Sequence, residues 1–173
     1  MERRPPDPSK SDLGARIEGV IFSTRAEYGV RLMVELGRRA GEGPVALNVL
    51  ADAENLPLAY LEHVVAKLKR AELVTSTRGA HGGYALARPT ERIAMDEVVQ
   101  ALEGHIAPME CFTDDEVRRV LCSHEGDLGR ACATKLLWTR VQGGMIRALR
   151  ETTLEDLVAF SSPREESAAP APA

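Results

Sequence analysis

The chain has 173 residues, a formal net charge of −4, 44% hydrophobic residues and only 4% aromatic ones. That length suits one ordinary domain, or a small domain with a dimerisation element, and the hydrophobic share is normal for a folded protein. No apolar stretch approaches the length a bilayer requires, and the N-terminus MERRPPDPSKSDLGAR lacks the apolar core of a secretion signal; the expectation is a cytoplasmic protein with no membrane partner. The charge is uneven. Residues 23–92 carry ten Lys/Arg against eight Asp/Glu, whereas residues 93–173 carry eight against fourteen. A basic first half and an acidic second half suit a nucleic-acid-binding head joined to a separate module.

Residues 1–20 are rich in Pro and charge without sustained periodicity and are expected to be disordered. Ser23 or Thr24 can cap a first helix running to about Arg39, with Val30, Met33, Val34 and Leu36 supplying apolar surface. Gly41-Glu42-Gly43-Pro44 ends it. Leu47 to Glu54 reads as a short second helix, Asn55-Leu56 as a turn, and Pro57 as part of the first turn of the next helix. In that helix Leu61, Val64, Val65 and Leu68 recur at i, i+3, i+4 and i+7, which makes one apolar face. Lys67, Lys69 and Arg70 crowd its last turn, where cations suit the helix dipole. Two strands follow, Leu73–Thr77 and Tyr84–Ala87, around a tip holding Gly79, Gly82 and Gly83, with Arg78 at its base. A short helix, a tight turn, a longer basic helix and a hairpin outline a winged helix-turn-helix.

A fourth helix is expected over about Met95–Glu103, ended by Gly104. Residues 105–133 read as irregular, apart from a short helix around Asp114–Val120, and hold Cys111, Cys122 and Cys132. A long helix is expected from about Thr134 to Arg150. Its Leu137, Val141, Met145 and Ala148/Leu149 form a stripe that a small head cannot easily bury, which points to pairing with a second copy. Thr153-Leu154-Glu155-Asp156 looks like a capping box opening a last short helix through Phe160. The Pro/Ala/Ser-rich tail from Ser161 is expected to be disordered. The predicted class is mainly α with a small β-hairpin. Its divisions are a head over 21–104, a cysteine-bearing loop over 105–133, and a dimerisation helix with the terminal short helix over 134–160.

The sequence has no Walker-type phosphate loop, nucleophile elbow or zinc-protease motif, so an enzyme is not expected. Gly79-Ala80-His81-Gly82-Gly83 sits between strands and is a turn, not a nucleotide cradle. The cysteines lie in a C-x10-C-x9-C pattern. An odd number in a cytoplasmic chain disfavours a disulfide framework. Thiolates are soft ligands, and three with one further oxygen or nitrogen ligand make a workable iron–sulfur site. Zinc ranks lower, because the set lacks the tight knuckle usual for structural zinc. Small apolar cysteines in a loop and a metal-free thiol switch remain open.

The ordered segments Ser23-Thr24-Arg25-Ala26-Glu27-Tyr28-Gly29-Val30-Arg31, Tyr60-Leu61-Glu62, Ala71-Glu72-Leu73-Val74, Ser76-Thr77-Arg78-Gly79 and Gly82-Gly83-Tyr84-Ala85-Leu86-Ala87 resemble a known family. With Glu103-Gly104, Trp138 and Thr153-Leu154-Glu155-Asp156-Leu157 they are similar to the IscR/NsrR/RirA-type winged helix-turn-helix regulators over about 21–160. The resemblance implies a homodimer on a near-palindromic double-stranded DNA operator, with the long helix as dimer interface. It implies that Cys111, Cys122 and Cys132 bind an iron–sulfur cluster, 2Fe–2S or 4Fe–4S. The fourth ligand in some members comes from the first helix of the other subunit, which corresponds here to Glu27; His124 and His105 are local alternatives. The cysteine spacing is wider than the family's compact pattern, and Lys135 stands where some members have a histidine ligand. Family members begin close to Ile21 or Phe22, so Val20 is a candidate start.

Pro57, Ala59, Tyr60, Glu62, His63 and Lys67 are then expected at or near DNA. Leu58 and Ala59 can touch a thymine methyl, Glu62 can accept from a cytosine amino group, and His63 can bond base or phosphate. His63 replaces the family's glutamine, so the preferred operator is expected to differ. Arg78 and Gly79 at the wing are expected at the minor groove. Arg25, Arg31 and Lys67 are expected at phosphates, which position without specifying. The alternative to cluster control is a cofactor-free regulator of the same fold, governed by a partner protein or by thiol oxidation.

Overall fold

The computed structural model describes residues 22–79, 81–106 and 133–161. The expectations of disorder over 1–20 and beyond 161, of a start at Val20, and of a short helix around Asp114–Val120 lie outside the described residues. So do Cys111, Cys122, Cys132 and His124.

Helix α1 spans Thr24–Arg38, and the Ser23 Oγ caps it by accepting from the Arg25 amide at 3.2 Å. The free N–H groups of a first turn favour such an oxygen. Helix α2 spans Leu47–Glu54 and closes on Asn55, whose φ of 50° is left-handed. Asn tolerates that conformation better than most residues, and the next amide, Leu56, returns to the Ala51 carbonyl at 2.9 Å. Helix α3 spans Leu58–Arg70 with Pro57 as its N-cap, one residue outside the turn where it was expected. The four spaced residues Leu61, Val64, Val65 and Leu68 are all buried.

Strands β1 (Val74–Thr77) and β2 (Gly83–Leu86) form the antiparallel hairpin, with Val74 opposite Leu86 and Thr77 opposite Gly83. Each lies slightly off the expected ends. A bridge absent from the sequence reading joins Val45 to Tyr84 through paired amide–carbonyl bonds of 2.8 Å each. This close crossing explains Gly83: a side chain there would collide with the Val45 carbonyl and the Ala46 amide. Helix α4 spans Met95–Glu103 and stops at Gly104, φ 83°, where the chain needs a positive φ.

Helix α5 spans Ala133–Glu151, about 28 Å at the α-helical rise. Helix α6 spans Leu154–Ser161. Thr153 and Asp156 cap α6 reciprocally: the Thr153 amide donates to Asp156 Oδ2 at 2.8 Å, and the Asp156 amide donates to Thr153 Oγ1 at 3.2 Å. The Thr153 amide first, and then the Thr153 hydroxyl, which donates to Asp156 Oδ2 at 2.7 Å, hold the exposed Asp156 carboxyl below its ordinary range.

The core joins α1, α2, α3, α4 and α6 through Leu32, Met33, Leu50, Leu61, Leu68, Ile93, Leu102 and Leu154. Each such side chain contributes roughly 1.5–3 kcal/mol by leaving water. Helix α6 therefore packs with the head, although the expected division grouped it with the long helix. The Leu154 amide donates to Ile93 O at 2.8 Å, and the Met95 amide donates to Thr152 O at 2.9 Å. Gly37 lets α6 come close, since a Cβ there would stand 2.7 Å from Val158 Cγ2. Among the described residues no helix is long and apolar enough to cross a membrane.

Candidate nucleic-acid interface

A helix turns about 100° per residue, so the face opposite Leu61, Val64, Val65 and Leu68 carries Ala59, His63 and Arg70. All three are exposed, as are Pro57, Leu58, Tyr60 and Glu62 beside them. The side chains of Glu62, His63 and Arg70 make no hydrogen bond or ion pair with the described residues. Arg70 joins this exposed face without being among the expected DNA residues. Its signal was present in the Ala59–His63–Ala66–Arg70 row, spaced by four, three and four, but it was absorbed into the general basicity of the last turn.

The wing stands beside this ridge. Arg78 and Gly79 are exposed at its tip, Gly79 with a φ of 117°, and Arg78 has no partner among the described residues. Lys69 reaches from α3 to the Ser76 hydroxyl at 2.5 Å, which ties the wing to the end of the helix. Two guanidinium groups, an imidazole and a carboxylate, unpaired among the described residues, therefore share one solvent-facing surface.

Four other expected DNA residues are occupied within the chain. Tyr60 packs edge-to-face on Tyr28, with centroids 5.4 Å apart and rings at 80°, a geometry worth about 0.5–1.5 kcal/mol beyond burial. Lys67 is half-buried and donates to the Leu102 carbonyl of α4 at 3.1 Å. Arg31 holds the Glu54 carboxylate at 2.9 Å and also the Glu54 carbonyl. Arg25 faces Glu103 at 3.9 Å, with its Nε buried and without a hydrogen-bond partner. The structure thus gives Arg25, Arg31 and Lys67 positioning partners that local spacing did not reveal.

Glu54 also receives Arg38 at 3.4 Å, and Arg38 in turn meets the buried Glu35 at 3.0 Å and the Ser161 hydroxyl at 3.3 Å. Arg39 completes the set on Glu35 at 2.7 Å. Exposed ion pairs contribute little singly, but removing the cations would strand the buried Glu35 charge. This network holds α2 against α1 and so aims the helix-turn-helix.

Helix α5 has no buried residue. Leu136 and Leu137 are 59% and 55% exposed, with Val141 next along the same region. The apolar stripe is divided: Leu149 packs on the core, while the N-terminal part faces outward. Arg150 anchors one end of α5 on the buried Asp96 at 3.0 Å, and Gln142 Nε2 donates to the Ile106 carbonyl at 2.8 Å.

Among the described residues no group of three or more His, Cys, Asp or Glu could hold a metal. The three thiols lie outside those residues. Glu27 is exposed on the first turn of α1, and its carboxylate makes no hydrogen bond or ion pair with the described residues. His105 stands 3.4 Å from Gln142 Nε2. Cys132 lies outside the described residues, one position before Ala133 in the sequence.

Residues 22–160 match the Rrf2 family, described as iron-dependent transcriptional regulators. The chain is 36% identical over 146 residues to the HTH-type transcriptional regulator CymR of Bacillus subtilis, covering 84% of this chain and 95% of that protein. The structure of that global cysteine regulator superposes with a TM-score of 0.66. IscR of T. potens is 31% identical, with a TM-score of 0.66 over 87% of this chain and 95% of that one. The oxidised form of Staphylococcus aureus CymR is 32% identical, with a TM-score of 0.62 over 82% of this chain and 98% of that one. These matches run through the hairpin, the helix-turn-helix and the long helix, and the fold is the winged helix of the CymR and IscR structures. The chain belongs to the Rrf2 family of helix-turn-helix transcriptional regulators.

Proposed function

We propose that the protein is a homodimeric, sequence-specific DNA-binding regulator whose operator affinity is set by chemistry at Cys111, Cys122 and Cys132. The observation that carries the DNA reading is the exposed set His63, Arg70 and Arg78 on the ridge and wing, whose side chains are unpaired among the described residues. Ala59, Glu62 and His63 read base edges in the major groove. Arg78 reads the minor groove, and Arg70 contacts phosphate. The outward Leu136, Leu137 and Val141 of α5 pair two copies, as a palindromic operator requires. Arg78→Ala is expected to weaken operator binding by about 1–3 kcal/mol; unchanged affinity at fixed salt in a gel-shift titration would remove Arg78 from the interface.

For the signal, three thiolates with the exposed Glu27 carboxylate are a chemically suitable donor set for an iron–sulfur cluster. The likeness to IscR and the family's iron-dependent description support that reading. When bound, a cluster supplies a redox- and iron-sensitive state. The likeness to CymR, one of whose structures is an oxidised form, supports the second reading, a thiol switch without cofactor. Anaerobic absorbance with iron and sulfide analysis separates them. A coloured protein with stoichiometric iron and sulfide fits the cluster. A colourless, iron-free protein that binds its operator, and loses binding on mild oxidation, fits the switch.

A further inference from the structure

The last four carbonyls of an α-helix lack partners inside the helix. At the end of α4 the Leu102 carbonyl is met by the Lys67 ammonium of α3 at 3.1 Å, a cation at the negative end of a helix dipole. The Leu102 side chain fills the space over Gly29 of α1, where an added Cβ would overlap its Cδ1. Glu103 takes the Ser23 hydroxyl and faces Arg25 of the same helix. Two residues beyond Gly104, the carbonyl of the buried Ile106 holds Gln142 of α5. Residues 102–106 thus touch α1, α3 and α5 immediately before the cysteine-bearing part of the chain.

We infer that Lys67 is a positioning residue: it couples the recognition helix to the end of α4, so that DNA binding and the state of residues 103–106 depend on one another. Lys67 lies seven residues after Tyr60, on the flank of α3 and away from the Ala59–His63–Arg70 ridge. Swinging it to a phosphate would leave the Leu102 carbonyl without its partner. A shift at 103–106 tilts α3 through this bond, and DNA that holds α3 steadies 103–106 in return, because coupling between two sites is reciprocal. The inference rests on the proposed reading of α3 as the recognition helix and is independent of whether a cluster or a thiol occupies the cysteines.

The test uses the full chain and a short duplex enriched by it from randomised DNA. Affinity is measured across a salt series, and amide hydrogen exchange at 103–106 is followed with and without the duplex, for wild type, Lys67→Met and Lys67→Arg. Lys67→Gln serves where Lys67→Met does not fold. Lys67→Met is expected to lose about fivefold or more in affinity with the salt slope unchanged. It also loses the duplex-induced slowing of exchange that wild type shows, and Lys67→Arg restores both in part. A salt slope shallower by about 0.9, the signature of one lost phosphate contact, with duplex-induced slowing intact, overturns the inference. So does wild-type exchange at 103–106 that the duplex leaves unmoved. Failure of the underlying reading has its own signature: His63→Ala and Arg78→Ala both leaving affinity intact, which overturns the inference with it. Loss of iron or thiol dependence alone, with the exchange coupling preserved, removes the sensing proposal and leaves this one standing.

Discussion

Helices α3 and α5 are both amphipathic and both basic at their C-terminal ends, yet they meet opposite fates. Helix α3 buries Leu61, Val64, Val65 and Leu68 against its own chain and shows solvent a ridge of Ala59, His63 and Arg70. Helix α5 is six residues longer, at 19 against 13, and buries none. The difference is supply of neighbours. Helix α3 sits among α1, α2 and α4, whereas α5 is held at one end by Arg150 on Asp96 and along its length by Gln142. An apolar face without an intramolecular cover is a surface for a second chain. The head is thus a unit stabilised from within, whereas α5 leaves Leu136, Leu137 and Val141 exposed, the face proposed to pair two copies.

That contrast can be broken at Leu154, the fully buried residue by which α6 joins the head. Leu154→Ala is expected to cost about 2–5 kcal/mol in urea unfolding; a loss below about 1 kcal/mol would mean that α6 does not belong to the core. The opposite behaviour is expected on α5. Leu137→Glu should leave unfolding stability of the head within about 0.5 kcal/mol, since it lies outside the core, while sedimentation shows dimers replaced by monomers. A variant that stays dimeric would place the interface elsewhere.

The smallest effect sharpens the α6 junction. The Thr153 bonds lower the Asp156 pKa in the folded state from its ordinary 3.8. The resulting stabilisation is present above the unfolded value and is lost as pH falls through the folded one. The gap in stability between wild type and Asp156→Asn should therefore be constant near neutrality and close in acid, below pH 3.8. A gap that stays constant through that range would deny the capping role.

Much of the head was legible because its signals are local. The range Met95–Glu103 and its stop at Gly104 follow from a short apolar period and one residue that tolerates a positive φ. The buried face of α3 follows from spacing alone. Partners in space were less legible. Nothing near Val45 shows that its backbone pairs with Tyr84, because a single bridging residue has no alternation to detect. Arg31 and Lys67 carry the same charge as Arg70 and Arg78, and composition cannot tell a cation clamped on Glu54 or Leu102 from one left open.

By itself, the sequence determined the order and type of the six α-helices and two strands among the described residues, the inward face of α3, and the family through its ordered motifs. These depend on residue spacing and on backbone preferences a few residues wide. Tertiary structure decided which charges are spent inside the molecule, why Gly83 and Gly37 must lack side chains, and that α6 belongs to the core while much of α5 faces outward. Those outcomes arise from contacts between residues tens of positions apart. Geometry there is set by how whole helices cross, and no local pattern encodes the crossing.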